Sequence, residues 1–75
     1  MVQRDFKYKI LEHIATISES RNGIITKELN LISFNDKPAR IDLRRWNRKT
    51  NRMLKGITLT YDELKALKDV LTTYF

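Results

Sequence analysis

The residues of this chain that could do chemistry are cations and aromatics, and most of them crowd into one stretch. From Lys37 to Lys55 stand eight basic residues: Lys37, Arg40, Arg44, Arg45, Arg48, Lys49, Arg52 and Lys55. Asp42 is the only acid among them, so this segment carries +7. The rest of the chain, with seven basic and eight acidic residues, carries −1. The single tryptophan, Trp46, lies inside the stretch, and Phe34 lies just before it. Guanidinium and ammonium groups attract phosphates, while flat rings offer nucleobases a stacking surface. An unpaired strand of nucleic acid displays both phosphates and base faces, so this combination suits it. A merely solvated surface would mix both signs of charge, and this segment does not.

Catalytic chemistry finds little to work with. There is no cysteine, hence no thiol nucleophile, disulfide or thiolate metal site. The one histidine, His13, sits in an apolar segment and reads as a structural core or edge residue. No serine has a histidine and a carboxylate at suggestive spacing. Asp62 and Glu63 are adjacent acids, which a helix start explains. With only two glycines, no glycine-rich phosphate loop occurs. The chain reads as a non-enzyme with no cofactor, no metal and no small-molecule substrate. The lack of cysteine fits a reducing cytoplasm, and a cytoplasmic, nucleoid-associated location is expected. No stretch approaches the roughly 18 apolar residues of a membrane span. The opening MVQRDFKYKIL lacks the apolar run of a signal peptide, so no membrane partner is expected.

These side chains need a scaffold, and the 75 residues make a single domain, 1–75. A chain this short buries only about 60% of its unfolded surface, so a partner subunit would add stability that a small core lacks. Arg21-Asn22-Gly23, Asn35 to Pro38 and Asn47 to Asn51 read as turns. Between them, Leu29 to Phe34, Ala39 to Trp46 and Met53 to Thr60 read as strands. Gly56 inside the last predicts a bulge or a close backbone approach. Thr60 and Glu63 have capping-box spacing and predict a helix from there onward. Leu64, Leu67, Val70, Leu71 and Tyr74 form its apolar stripe. That stripe is read as packing on the sheet, with Leu64, Leu67, Leu71 and Tyr74 also placed for a dimer contact. The first segment reads two ways. Phe6, Tyr8 and Ile10 alternate with Lys7 and Lys9 as in a strand, yet Ile10, Leu11, Ile14 and Ile17 fit helical spacing. The Asn-Gly turn and the β-branched run favour a strand, which needs a bulge where Leu11 breaks the alternation.

Strand periodicity assigns faces. Ile41, Leu43, Ile57 and Leu59 are expected to point inward, and Leu29 and Leu31 set the inward phase of the strand before them. By parity Arg40, Asp42, Arg44 and Trp46 then share the outer face, and Phe34 is out of phase with the leucines. The expected surface is a basic sheet face with two exposed aromatics. Asp42 amid arginines reads as a plain surface ion pair, worth little.

KELNLISFN (27–35), ARIDLRRW (39–46) and KGITLTYDELKALKDVL (55–71) together resemble the positive cofactor 4 type of transcriptional coactivator, most closely its small bacterial YdbC-like branch. The features that carry the resemblance are Ile41-Asp42-Leu43-Arg44, an aromatic soon after, and a Lys-Gly strand leading into a final helix. It implies an α+β fold: a curved four-stranded antiparallel sheet followed by one C-terminal helix, in a two-fold homodimer built largely through the helices. It also implies single-stranded DNA binding with little sequence preference along the concave sheet face, serving transcription, replication or repair. By position it implies Phe34 and Trp46 as stacking aromatics and Lys37, Arg40, Arg44 and Lys55 as phosphate- or base-contacting cations. Lys27 joins them near the start of the second strand, and Arg48 completes the candidate set. Ile32 stands where the family often has a basic residue, and NRKTNRML (47–54) is shorter than the matching loop of eukaryotic relatives. The eukaryotic serine-rich regulatory tail is absent, so what the resemblance implies is the binding fold, and a coactivator role does not follow from it.

Other functions stay in view. With Ile10 to Ser18 helical, the chain would be a winged-helix regulator of duplex DNA, the basic stretch forming its wing. A module docking on acidic protein surfaces is a third class. RNA remains an alternative ligand, since stacking platforms do not read sugars.

Overall fold

A computed structural model describes residues 7–75, which form four strands and one helix: β1 (Tyr8–Glu19), β2 (Ile25–Phe34), β3 (Arg40–Asn47), β4 (Arg52–Leu59) and α1 (Tyr61–Tyr74). The strands make one antiparallel sheet in the order β1-β2-β3-β4. The first segment is therefore a strand, which removes the winged-helix reading. Phe6 and the residues before it lie outside the described residues.

The ambiguity of that segment has a structural cause. β1 shifts register against β2 between Ile10 and Glu12, between His13 and Ala15, and between Thr16 and Ser18. The skipped residues are Leu11, Ile14 and Ile17, all apolar and all exposed. An extra apolar residue at every third position mimics helical spacing. The bulge expected at Leu11 is present, and two more follow it. Each bulge bends the strand and increases its twist.

Local chemistry fixes the connections. At the β1–β2 turn only Gly23 takes positive φ, at 73°, and Asn22 Oδ1 accepts from Ile24 N and Ser20 Oγ. After β2, Asn35 and Asp36 have φ of 50° and 62°. Lys37 N donates to Phe34 O across them at 3.0 Å, a type I′ pattern that Asn and Asp tolerate. Gly56 lies opposite Arg44, beside a register shift between Arg44 and Trp46. A Cβ there would sit 1.9 Å from Arg44 Cβ and 2.7 Å from Leu43 O. The bulge and the close approach both occur.

Thr60 caps α1 in a reciprocal box: Glu63 N donates to Thr60 Oγ1 at 3.1 Å, and Thr60 N donates to Glu63 Oε1 at 2.8 Å. The apolar stripe does not pack on the sheet as expected. Leu64 is half-buried, beside Leu31, Ile41 and Leu59. Leu67, Val70 and Leu71 are exposed, and Tyr74 is 78% exposed.

The sheet's two faces follow the expected parity, but interior and exterior are exchanged. Thr26 lies opposite Trp46, Glu28 opposite Arg44, Asn30 opposite Asp42 and Ile32 opposite Arg40, so these residues and Phe34 share one face. That face holds the core. Trp46 is 1% exposed, and Ile32, Asn30 and Asp42 are fully buried. The leucine face is the open one: Leu29, Leu31, Ile41 and Leu43 are half-buried, and Ile57 is 55% exposed. The helix meets the leucine face through Leu64, beside Leu31, Ile41 and Leu59. Burial of the opposite face requires the sheet to bend around it, and the bulges of β1 supply that bend.

Candidate nucleic-acid interface

Two internal ion pairs organise the closed face. On β3, Asp42 is fully buried and Arg44 grips it with two bonds, Nε to Oδ1 at 2.6 Å and Nη2 to Oδ2 at 2.7 Å. Thr58 Oγ1 adds a third at 3.0 Å, and Arg44 Nη1 donates to Leu54 O at 3.1 Å. The hydrogen bond to Asp42 pushes the Arg44 guanidinium above its ordinary pKa. This corrects the expected surface pair: bidentate geometry and burial make it a strut across β3 and β4.

On β2, Glu28 is buried and receives both Nε and Nη2 of Arg48 as well as Thr26 Oγ1. The Arg48 bond dominates the other influences and holds the Glu28 carboxyl down to about 2, from an ordinary 4.5. His13 joins this network from β1. Its Nδ1 lies 2.6 Å from Asn30 Oδ1 and 3.6 Å from Glu28 Oε1, and its Nε2 lies 3.2 Å from Thr16 Oγ1.

Arg48 also covers the tryptophan, with its guanidinium carbon 4.5 Å from the Trp46 ring centre. Tyr8 packs at 5.8 Å, tilted by 60°. Trp46 is thus a core residue enclosed by its neighbours, not an exposed stacking surface. Parity placed it correctly with Asp42 and Arg44, but the shared face is the buried one. Its Nε1 and the Nδ2 of Asn30 have no hydrogen-bond partner among the described residues.

Phe34 keeps an accessible position. It is half-buried at the end of β2, opposite Tyr8, with Arg44 Cζ 5.7 Å from its ring centre. The type I′ turn directly after it brings the strand to a stop. Lys37, in that turn, and Arg40, on the same sheet face as Phe34, are exposed.

The remaining candidates lie elsewhere. Lys27 faces the leucine side with Arg45, its direct partner across β2 and β3. These two and Lys55 line a shallow cleft of about 410 Å³ with Leu43, Gly56 and Ile57. Arg45 is in phase with Ile41 and Leu43, so alternation along β3 groups it with residues expected to point inward. The fold therefore gathers Phe34, Lys37, Arg40 and Arg44 at one end of the sheet, and Lys27, Arg45 and Lys55 on the reverse face. Arg48 and Trp46 join neither set. No group of His, Cys, Asp or Glu able to hold a metal ion occurs among the described residues. No helix among them is long and apolar enough to cross a membrane.

Both sets fall within residues 25–70, which match the family model described as transcriptional coactivator p15 (PC4). A protein of Treponema pallidum (strain Nichols), described only as uncharacterized, is 40% identical over 73 residues, covering 97% of this chain and 85% of the relative. The four-stranded sheet and final helix are the fold that the sequence resemblance implied, and the matched stretch spans more than half of the residues. The chain belongs to the transcriptional coactivator p15 (PC4) family.

Proposed function

We propose that this protein binds single-stranded DNA with little sequence preference, as a homodimer. Its family is one of single-stranded-DNA-binding coactivator domains that form dimers. The observation that carries the reading is the division of charge. Arg44 and Arg48 are consumed inside by Asp42 and Glu28. Lys37, Arg40, Arg45, Lys49, Arg52 and Lys55 are exposed and make no ion pair among the described residues. The acids of this region are neutralised internally while its other cations face outward, which is the field a phosphate chain requires.

Phe34 is the stacking residue in this reading, with Arg44 holding it from the sheet side. Lys37 and Arg40 take phosphates beside it, and Lys27, Arg45 and Lys55 take them on the reverse face. The unpacked stripe of α1, chiefly Leu67, Leu71 and Tyr74, closes the dimer, continued by Leu64 at the sheet. Such a protein serves wherever strands are unpaired: transcription, replication or repair.

Competition among oligo-dT, duplex DNA and RNA at two salt concentrations tests this. Oligo-dT should outcompete duplex at both. Replacing Phe34 by Ala should cost about 1–3 kcal/mol of oligo-dT affinity, the worth of one stacked base. Equal or tighter binding to duplex overturns the reading, and tighter binding to RNA of the same sequence redirects it.

A further inference from the structure

We propose that the bound strand continues past Phe34 onto a phosphate-binding cleft at the start of β1, formed by Lys7, Lys9 and Lys37. This rests on the single-strand reading above and extends its site beyond the family-matched stretch. The cleft, about 620 Å³, is lined by these three lysines with Tyr8, Leu11, Ser33, Asp36 and Ala39. All three lysines are exposed, and none makes an ion pair among the described residues. Among the described residues Asp36 is the only acid in the lining, against three lysines, so their charges sum to a positive value.

Its backbone is fixed before any ligand arrives. Lys7 N donates to Asn35 Oδ1 at 3.0 Å, and Asn35 N donates to Lys7 O at 2.9 Å. Ser33 Oγ donates to Lys37 O at 2.6 Å. These bonds tie the start of β1 to the type I′ turn after β2, so three exposed ammonium groups extend from a hydrogen-bonded frame. A fixed frame lowers the ordering cost of binding.

The cleft's position gives it a strand to hold. Tyr8 is opposite Phe34 in the register, and Lys9 is opposite Ser33. Successive residues of a strand point to opposite faces, so the cleft starts beside the Tyr8–Phe34 pair and turns onto the reverse face. A strand stacked on Phe34 meets Lys37 first and then Lys9 and Lys7. The class of ligand is the phosphodiester backbone of the same single strand. Lys9, on β1, and Lys7, just before it, precede residue 25, where the family match begins, so they lie outside the matched stretch.

The test is a double variant, Lys7→Gln with Lys9→Gln, titrated with oligo-dT of about 4 and about 16 nucleotides over a range of salt. On the long oligomer the salt slope should fall by about 0.7 for each lost phosphate contact, so by up to about 1.4. On the short one, centred on Phe34, the slope should not change, and Lys7→Arg with Lys9→Arg should keep the wild-type slope on both. An unchanged slope on the long oligomer overturns the inference, as does an equal fall on both lengths, which would mean a general field only. Inorganic phosphate at matched ionic strength should not displace the long oligomer; if it does, the cleft is a site for the free ion and the inference fails. Absence of oligo-dT binding by the unaltered protein overturns instead the single-strand reading on which it rests.

Discussion

Replacing Arg48 by Met should weaken the fold in a pH-dependent way. The substitution keeps the aliphatic cover over Trp46 but removes the guanidinium that bonds both Glu28 oxygens. Glu28 titrates at about 2 in the folded chain against an ordinary 4.5. At 1.36 kcal/mol per pKa unit, that difference is worth about 3 kcal/mol when the carboxyl is ionised in both states. The folded carboxyl is the more acidic, so this stability is complete above pH 4.5 and drains away as pH falls toward 2. At pH 3 about 1.5 kcal/mol should remain. Arg48 is one-third exposed, at 32% of its side chain, and solvent screening places the expected loss at pH 7 nearer 2–3 kcal/mol. Loss of the contact with the Trp46 ring adds about 0.5–1 kcal/mol at every pH. Urea denaturation followed by far-ultraviolet circular dichroism, at fixed protein concentration, should therefore show a gap between wild type and variant that narrows by at least about 1 kcal/mol from pH 7 to pH 3. In a Glu28→Gln background the Arg48→Met cost should fall, since the two residues act as one unit. A gap of the same size at pH 7 and pH 3 would refute the claim that Arg48 acts through the Glu28 carboxylate.

Three further outcomes are expected. Gly56→Ala places a Cβ against the backbone of β3 and should cost about 1–3 kcal/mol or more by overpacking; thermal denaturation unchanged from wild type would contradict the close approach. Trp46→Phe removes an indole N–H that has no hydrogen-bond partner among the described residues, so it should cost only about 1 kcal/mol and leave oligo-dT affinity unchanged. A tenfold loss of affinity in that variant would return Trp46 to the binding surface. Leu67→Asp with Leu71→Asp puts charge on the exposed stripe of α1 and, on the proposed homodimer, should turn a wild-type dimer into a monomer in sedimentation velocity while circular dichroism stays close to wild type; a persistent dimer would move the interface off the helix, and a wild-type monomer would overturn the dimer.

Much of this fold is legible in residue order because local rules produce it. Thr60 and Glu63 satisfy each other at the start of α1, and Asn35 and Asp36 take positive φ where a turn demands it. Gly56 stands where the β3 backbone leaves no room for a side chain. Leu11 marked a bulge, although the same apolar spacing also read as a helix. A row of unpaired residues at every third position is indistinguishable from a helical stripe until the partner strand is known. The candidate site was partly legible: Phe34, Lys37 and Arg40 come together, while Lys7, Lys9 and Arg45 were passed over. Lys7 and Lys9 come near Phe34 because β1 lies antiparallel to β2, with Tyr8 opposite Phe34.

Trp46 separates the two kinds of information most sharply. Alternation along a strand is a property of the chain, so sequence alone determined that Trp46 shares a face with Asp42, Arg44 and Phe34. It also determined that positive charge concentrates between Lys37 and Lys55. Which face closes is not a property of any one strand. It depends on where the sheet bends and on what the helix covers, and both involve residues distant in sequence. The bulged β1 folds the sheet around Trp46, Asn30 and Asp42, while α1 leaves the leucine face half open. Polar residues can occupy that closed face because Glu28 and Asp42 find arginines there, and burial of a charge is tolerable only once it is paired.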